Sequence, residues 1–148
     1  MLKRTTMTKE FDDLYLLHPI YPAMLERYIY DIAGMLSRHD EQPYNGGYWK
    51  STPIGRGWFF ELQDERSWHV INENNYSDEI LSTRSFSLAV FLIALSGFLF
   101  FLHEKSEKGE NVSELMNELS DLHSNIRASI EEMITDMEEE GMFWRVLD

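Results

Sequence analysis

The sequence predicts an α+β fold in which a small antiparallel sheet of about three strands packs with several helices, one of them a buried central helix. Three patterns indicate this: helical periodicity over residues 23–37, short strand-like segments over 48–71, and an uncharged apolar run over 85–102. The 148 residues, 43% hydrophobic and 14% aromatic, suffice for one hydrophobic core. We therefore predict a single domain over residues 11–148, preceded by a flexible N-terminal segment, 1–10.

The first helix and the sheet are predicted from periodicity and turn chemistry. Apolar residues recur at helical spacing over 23–37, and Pro22 suits a first helical turn. Segments 48–52, 58–62 and 67–71 are rich in aromatic and β-branched residues, which favours strands. Their connections are short enough for hairpins, so we predict a three-stranded meander followed by a polar loop over 72–79.

The run over residues 85–102 carries no charge and allows two interpretations. A membrane span needs roughly 17–25 mostly apolar residues, so this length is sufficient for one. Helices that are apolar all round also occur in cores, and the sheet needs a second layer to cover it. We therefore predict a buried central helix with Ser82 or Thr83 as its cap, and no membrane contact.

The pattern of apolar residues in the C-terminal part predicts an amphipathic helix that packs on the core. Its apolar residues recur at steps of three and four, with a break expected near Asn125 or Gly141: Leu115, Leu119, Leu122, Ile126, Ile130, Met133 and Met137. The final residues, MFWRVLD, are mainly apolar and are expected to pack back on the fold.

Charge and composition narrow the classes of function. The net charge is −13, and residues 103–148 hold 13 acidic and 4 basic side chains. Such a chain repels DNA phosphates and attracts basic partners, so no direct nucleic-acid binding is expected. The absence of cysteine fits a cytoplasmic location, and no apolar run follows the basic start as in an export signal.

The sequence contains no recognised catalytic motif. The five histidines lack metal-ligand spacing, and there is no phosphate-binding loop, dinucleotide fingerprint or nucleophile elbow. We therefore predict a protein that is not an enzyme and has no cofactor and no metal. The acidic residues Glu131, Glu132, Asp136 and Glu138 fit either a solvated helix face or an interaction face that imitates DNA phosphates.

The segment Tyr44–Trp49, YNGGYW, is the most distinctive short motif. Gly46 and Gly47 allow positive φ or close approach of another backbone. Tyr48 and Trp49 allow either packing at the start of a strand or contact with a partner.

Four segments resemble antirestriction proteins of the ArdB/KlcA type. Gly46–Trp49 is similar to that family's Gly-Gly-Tyr-Trp strand, and Gly57–Phe60 to its Gly-Gly-Phe-Tyr type second strand. Residues 75–82 resemble its Asn-x-x-Ser segment, which leads into an apolar helix, and residues 143–148 its Ile-Phe-Arg-Ala-Ile-Asp ending. The likeness covers nearly all of residues 11–148. Met137–Glu139 departs from the family's His-Pro-Glu, and the central helix is bulkier.

The resemblance implies a compact α+β fold and relief of type I restriction of incoming plasmid or phage DNA, through protein interaction rather than catalysis. The implied partner is a host protein, either the restriction complex or an associated factor. No catalytic residues are implied; Gly46, Gly47, Tyr48, Trp49 and Asp148 match family positions and are candidate functional positions. Two alternatives stay open: an acidic DNA mimic that binds another DNA-processing enzyme, and a small membrane protein with a single span at residues 85–102. The oligomeric state is also left open.

Overall fold

The uncharged run forms α3, Thr83–Glu107, the longest helix of the described chain. The computed structural model describes residues 6–7 and 9–148, with side chains from residue 9 onward. Within this part, α3 is the one helix long and apolar enough to cross a membrane, with a mean hydropathy of 2.4 over its most apolar window. However, 67% of that window is buried inside the fold. Ser82 caps the helix by accepting a hydrogen bond from the Ser85 N–H, as predicted.

A helix from the N-terminal part of the chain covers part of α3. Helix α2, Tyr21–Leu36, begins at the predicted proline turn and packs its buried face against α3. Before it lie strand β1, Thr6–Met7, and helix α1, Lys9–Asp12. Residues 1–5 and 8 of the expected flexible segment lie outside the described residues.

The strands form two small sheets. The first has the order β1-β2-β3, in which β2, Trp49–Ile54, is parallel to β1 and antiparallel to β3, Gly57–Leu62. The second is a hairpin of β4, Ser67–Asn72, and β5, Ser77–Ser82. Together with the helices they confirm the α+β class.

The predicted three-stranded meander is wrong in one respect, because β4 does not pair with β3. Its partner is β5, whose first half, residues 77–79, lies in the stretch that we expected to be a polar loop. At the edge of β4 that faces away from β5, the His69 N–H donates to the Asp40 carboxylate at 2.6 Å. That edge is therefore occupied by a side chain rather than by a third strand.

The C-terminal part, whose apolar stripe predicted an amphipathic helix, is divided into three short elements. Helix α4, Ser113–Arg127, is followed by a 3-10 turn at Ile130–Glu132 and by helix α5, Met137–Leu147. The break at residues 128–136 lies between the two predicted positions. Met137 is 89% exposed, so its assignment to the apolar stripe is wrong. Asp136 caps α5 and starts a new helix axis, which turns Met137 away from the core.

Candidate functional site

The turn of the β4–β5 hairpin packs against the last turn of α5. The side-chain amide of Asn72 donates to the carbonyl of Val146 at 2.8 Å. The amide of Asn75 donates to the carbonyls of Arg145 and Val146 at 3.1 and 3.0 Å. The last carbonyls of a helix lack partners within the helix. The two asparagines therefore cap the end of α5 and fix the hairpin to it.

Ion pairs connect the same segments. The Arg145 Nε donates to Glu79 on β5 at 2.5 Å, and this hydrogen bond raises the pKa of Arg145. The Arg127 guanidinium at the end of α4 lies 3.3 and 3.4 Å from the two carboxylate oxygens of Asp148. The same guanidinium lies 4.9 Å from the centre of the Trp144 ring. Asp148, a candidate position from the sequence, is thus held beside the hairpin by a bidentate ion pair.

An open groove of about 660 Å³ lies between the hairpin and α5. Its residues carry three carboxylates and one guanidinium, together with two aromatic rings: Asn75, Tyr76, Ser77, Asp78, Glu79, Trp144, Arg145 and Asp148. Tyr76 is at the tip of the hairpin, with φ 60° and 93% of its surface exposed. We define these eight residues as the hairpin groove.

The YNGGYW motif lies elsewhere and is mainly packed. Gly46 and Gly47 have φ values of 100° and 151°, and a Cβ on Gly47 would lie 2.7 Å from Leu62. Trp49 is fully buried, and its indole N–H donates to the Tyr44 hydroxyl at 2.9 Å. Burial raises the pKa of Tyr44. These contacts place Trp49 in the core, so Tyr48, which is 45% exposed, is the aromatic of GGYW that faces solvent.

The four predicted acidic residues lie close together along the chain before and at the start of α5. Glu131 and Glu138 are exposed. Glu132 accepts a hydrogen bond of 2.9 Å from the N–H of Gly55 in the β2–β3 turn. Asp136 accepts hydrogen bonds from two N–H groups in the first turn of α5, at 2.8 and 3.3 Å. Two of the four carboxylates therefore have a structural role.

A partly buried ion pair fixes the loop before β2 to β4. The Arg66 guanidinium lies 2.6 Å from the Asp40 carboxylate, which also accepts the N–H groups of Gln42 and His69 at 2.8 and 2.6 Å. Burial acts to raise the pKa of Asp40, but these hydrogen bonds and the Arg66 charge outweigh it and the pKa is lowered. Arg66 also lies over the Trp68 ring, 3.7 Å from its centre.

A second carboxylate fixes α5 to the start of α3. Glu139 accepts hydrogen bonds from the Ser82 N–H at 3.1 Å and the Ser85 hydroxyl at 2.7 Å. Burial acts to raise the pKa of Glu139, but these bonds outweigh it and the pKa is lowered. A negative charge at a helix N-terminus is also stabilised by the helix dipole.

The structure assigns the histidines to surface and packing positions. His123 on α4 is half-buried, and its pKa is lowered by burial and by the charge of Arg127. His69 is 2.7 Å from Asp78 at the hairpin. Within residues 9–148, no three or more histidine, aspartate and glutamate side chains are grouped so that they could hold a metal ion.

Sequence reasoning missed the residues that build the hairpin groove. Of its members, Asp148 alone was a candidate position. The available signal was the segment NENNYS, because asparagine side chains readily hydrogen-bond to nearby backbone groups in turns. Its capping of α5 depends on contacts between residues more than 70 positions apart.

The elements define an α+β protein with a buried central helix, two small sheets and a capped C-terminal helix. The fold is similar to a solved structure of the KlcA and ArdB proteins, at a TM-score of 0.65 and 18% sequence identity, over 93% of this chain and 87% of that one. That structure is described as a novel fold with antirestriction activity against Type I DNA restriction systems in vivo but not in vitro. No protein-family model and no curated protein matches the sequence. The structural similarity confirms the fold expected from the resemblance.

Proposed function

We propose that this protein relieves type I restriction of incoming plasmid or phage DNA in the host cytoplasm. The observation that carries this proposal is the fold, which is similar over nearly the whole chain to antirestriction proteins of the ArdB/KlcA type. The four sequence segments that resemble the family lie in regular elements of this fold or at their ends.

We further propose that it acts by binding a host protein rather than by catalysis. The hairpin groove offers one surface for contact. The acidic segment, which we define as Glu131, Glu132, Asp136 and Glu138, offers another. The net charge of −13 favours a basic protein partner over DNA. The similar proteins act in vivo but not in vitro. A competitor that simply occupied the DNA-binding groove of the restriction enzyme would inhibit the purified enzyme, so this pattern argues against phosphate mimicry as the mechanism.

The site residues have different proposed roles. Gly46, Gly47 and Trp49 serve the packing of the β2 entry, whereas Tyr48 and Asp148 are accessible for contact. Asp148 would act as part of the hairpin groove, held by Arg127.

The test is the plating efficiency of unmodified phage on cells with an active type I system, with and without this protein. We expect a rise of orders of magnitude that is absent in a restriction-null host. No rise, with folded protein present in the cells, would contradict the proposal.

The single-span alternative has one observation in its favour, the length and hydropathy of α3. Fractionation of cells that express the protein tests it. Recovery from the membrane fraction, with detergent needed for extraction, would support it, and monodisperse protein without detergent would exclude it.

A further inference from the structure

Tyr76 holds a backbone conformation that the chain otherwise gives to glycine. In the described part of the chain, positive φ occurs at Gly46, Gly47, Gly55 and Gly109, and at Tyr76 alone among the other residue types. A bulky residue in the left-handed region is strained, because its Cβ crowds the backbone. Asparagine or glycine would avoid much of that strain, so tyrosine at this position is not explained by the stability of the turn.

The turn around Tyr76 is held firmly by its neighbours. The Asn72 side-chain oxygen accepts the N–H of Asn74 at 3.1 Å, and the Asn75 oxygen accepts the N–H of Ser77 at 3.1 Å. The same two side chains bind the end of α5. The backbone on both sides of Tyr76 is therefore fixed, although its ring is 93% exposed and has no hydrogen bond or ring contact with the described residues.

The surroundings of this ring are acidic. Among the residues of the hairpin groove, Asp78, Glu79 and Asp148 outnumber the single cation, Arg145, which is already paired with Glu79. Asp78 and Asp148 are each more than half exposed. Asp78 contacts His69 at 2.7 Å and Asp148 is paired with Arg127. An exposed aromatic ring beside these solvent-accessible carboxylates still suits a cation, because the ring face and the carboxylate oxygens both attract positive charge.

We propose that the hairpin groove binds an arginine or lysine side chain on a basic surface of the host restriction complex, with Tyr76 as the anchor. This inference rests on the proposed antirestriction function and adds the surface and the chemistry of its partner. A rigid, exposed aromatic residue is the type of side chain that dominates binding energy at protein interfaces.

Three substitutions of Tyr76 distinguish the contribution of its aromatic ring from that of the turn conformation. Y76N keeps a residue suited to positive φ and removes the ring, Y76L keeps apolar bulk without an aromatic face, and Y76F keeps the ring. L16N is the matched control, because Leu16 is a large apolar residue that is 83% exposed and lies in the separate 3-10 helix Asp13–Leu16. Thermal melts come first. We expect Y76N to melt roughly 2–4 °C above wild type, since asparagine adopts this positive φ with less strain than tyrosine.

Plating efficiency and co-purification with tagged restriction subunits from the same cells are then measured. We expect Y76N and Y76L to lose roughly 30-fold or more in recovered complex, as for an interface hot spot, and to lose antirestriction. Y76F and L16N should behave as wild type. A Y76N variant that is folded and fully active would overturn the inference and leave the proposed function intact. Retention by Y76L would overturn the cation-binding chemistry, and an inactive wild-type protein would overturn both proposals.

Discussion

Neutralising the acidic segment without breaking its hydrogen bonds tests whether charge imitation carries the function. The variant E131Q/E132Q/D136N/E138Q changes the net charge from −13 to −9. The amide oxygens of glutamine and asparagine can still accept the N–H of Gly55 and those at the start of α5. If the protein acts through a protein partner at the hairpin groove, this variant retains antirestriction.

The structure also gives the expected change in stability. Asparagine caps a helix about as well as aspartate, so D136N keeps the cap of α5. Loss of two negative charges near the N-terminus of that helix costs about 0.3–1 kcal/mol each. Exchange of the charge-assisted bond to Gly55 for a neutral one costs about 0.5–1 kcal/mol. Together these changes lower the free energy of unfolding by about 2 kcal/mol, which lowers Tm by roughly 4–8 °C. Four alanines would also remove the cap and the bond, so that variant would confuse folding with function.

The assay combines a thermal melt of the purified variant with phage plating on cells that contain an active type I system. A folded amide variant with unchanged plating efficiency excludes phosphate mimicry by these four residues. A folded amide variant that loses antirestriction would refute our reasoning, since it would show that charge alone carries the function. A DNA mimic depends on such contacts for much of its affinity.

Three further predictions concern the fold. L95D should unfold the domain, because Leu95 is fully buried and an unpaired charge there is costly. S96D, on the exposed face, should change the free energy of unfolding by no more than about 0.5 kcal/mol. A cooperative melt of L95D near the wild-type Tm would contradict the core assignment of α3. G55A should cost about 2–4 kcal/mol in urea unfolding, because φ is 53° and the added Cβ would lie 2.8 Å from the Ser129 Cβ. The second change S129G should recover the steric part alone, and full recovery would refute the backbone contribution. D40N should cost about 2–3 kcal/mol at pH 7, because Arg66 loses its partner in a mostly buried position. The folded pKa of Asp40 lies below its ordinary value, so this stabilisation is complete above about pH 5 and declines as pH falls below about 4 toward the folded pKa. The difference between the melts of the two proteins should therefore narrow from about pH 7 to about pH 3, and a constant difference would refute the assignment.

Elements with strong local periodicity could be predicted from the sequence. The spacing of apolar residues in α2 determines which face is buried, and the uncharged run of α3 indicates burial all round. Helix α2 lies close to its expected bounds, whereas α3 continues past the predicted end at residue 102 to Glu107. Ser82 could be predicted as a cap because the residue type and its position before an apolar run suffice.

Features that depend on distant contacts could not be predicted. The periodicity of residues 115–137 continues past the end of α4, but Asp136 caps a new helix and Glu132 contacts the β2–β3 turn. The pairing of β4 with β5 rather than β3 depends on Asp40 and on the asparagines of the hairpin turn. These residues are polar, and hydrophobic patterns carry no information about which backbone group a polar side chain will reach.

The candidate site shows the same division between local pattern and long-range contact. GGYW is distinctive as a sequence because its glycines need unusual φ values and its tryptophan fills the core, and both demands come from packing. The segment NENNYS is less distinctive, yet its asparagines use their side chains to hold α5 and leave Tyr76 strained and uncovered. Strain that no local contact offsets is more informative about function than a motif whose glycines and tryptophan serve packing. The proposed contact with a partner is therefore better supported at the hairpin groove, where Asp148 also lies, than at GGYW.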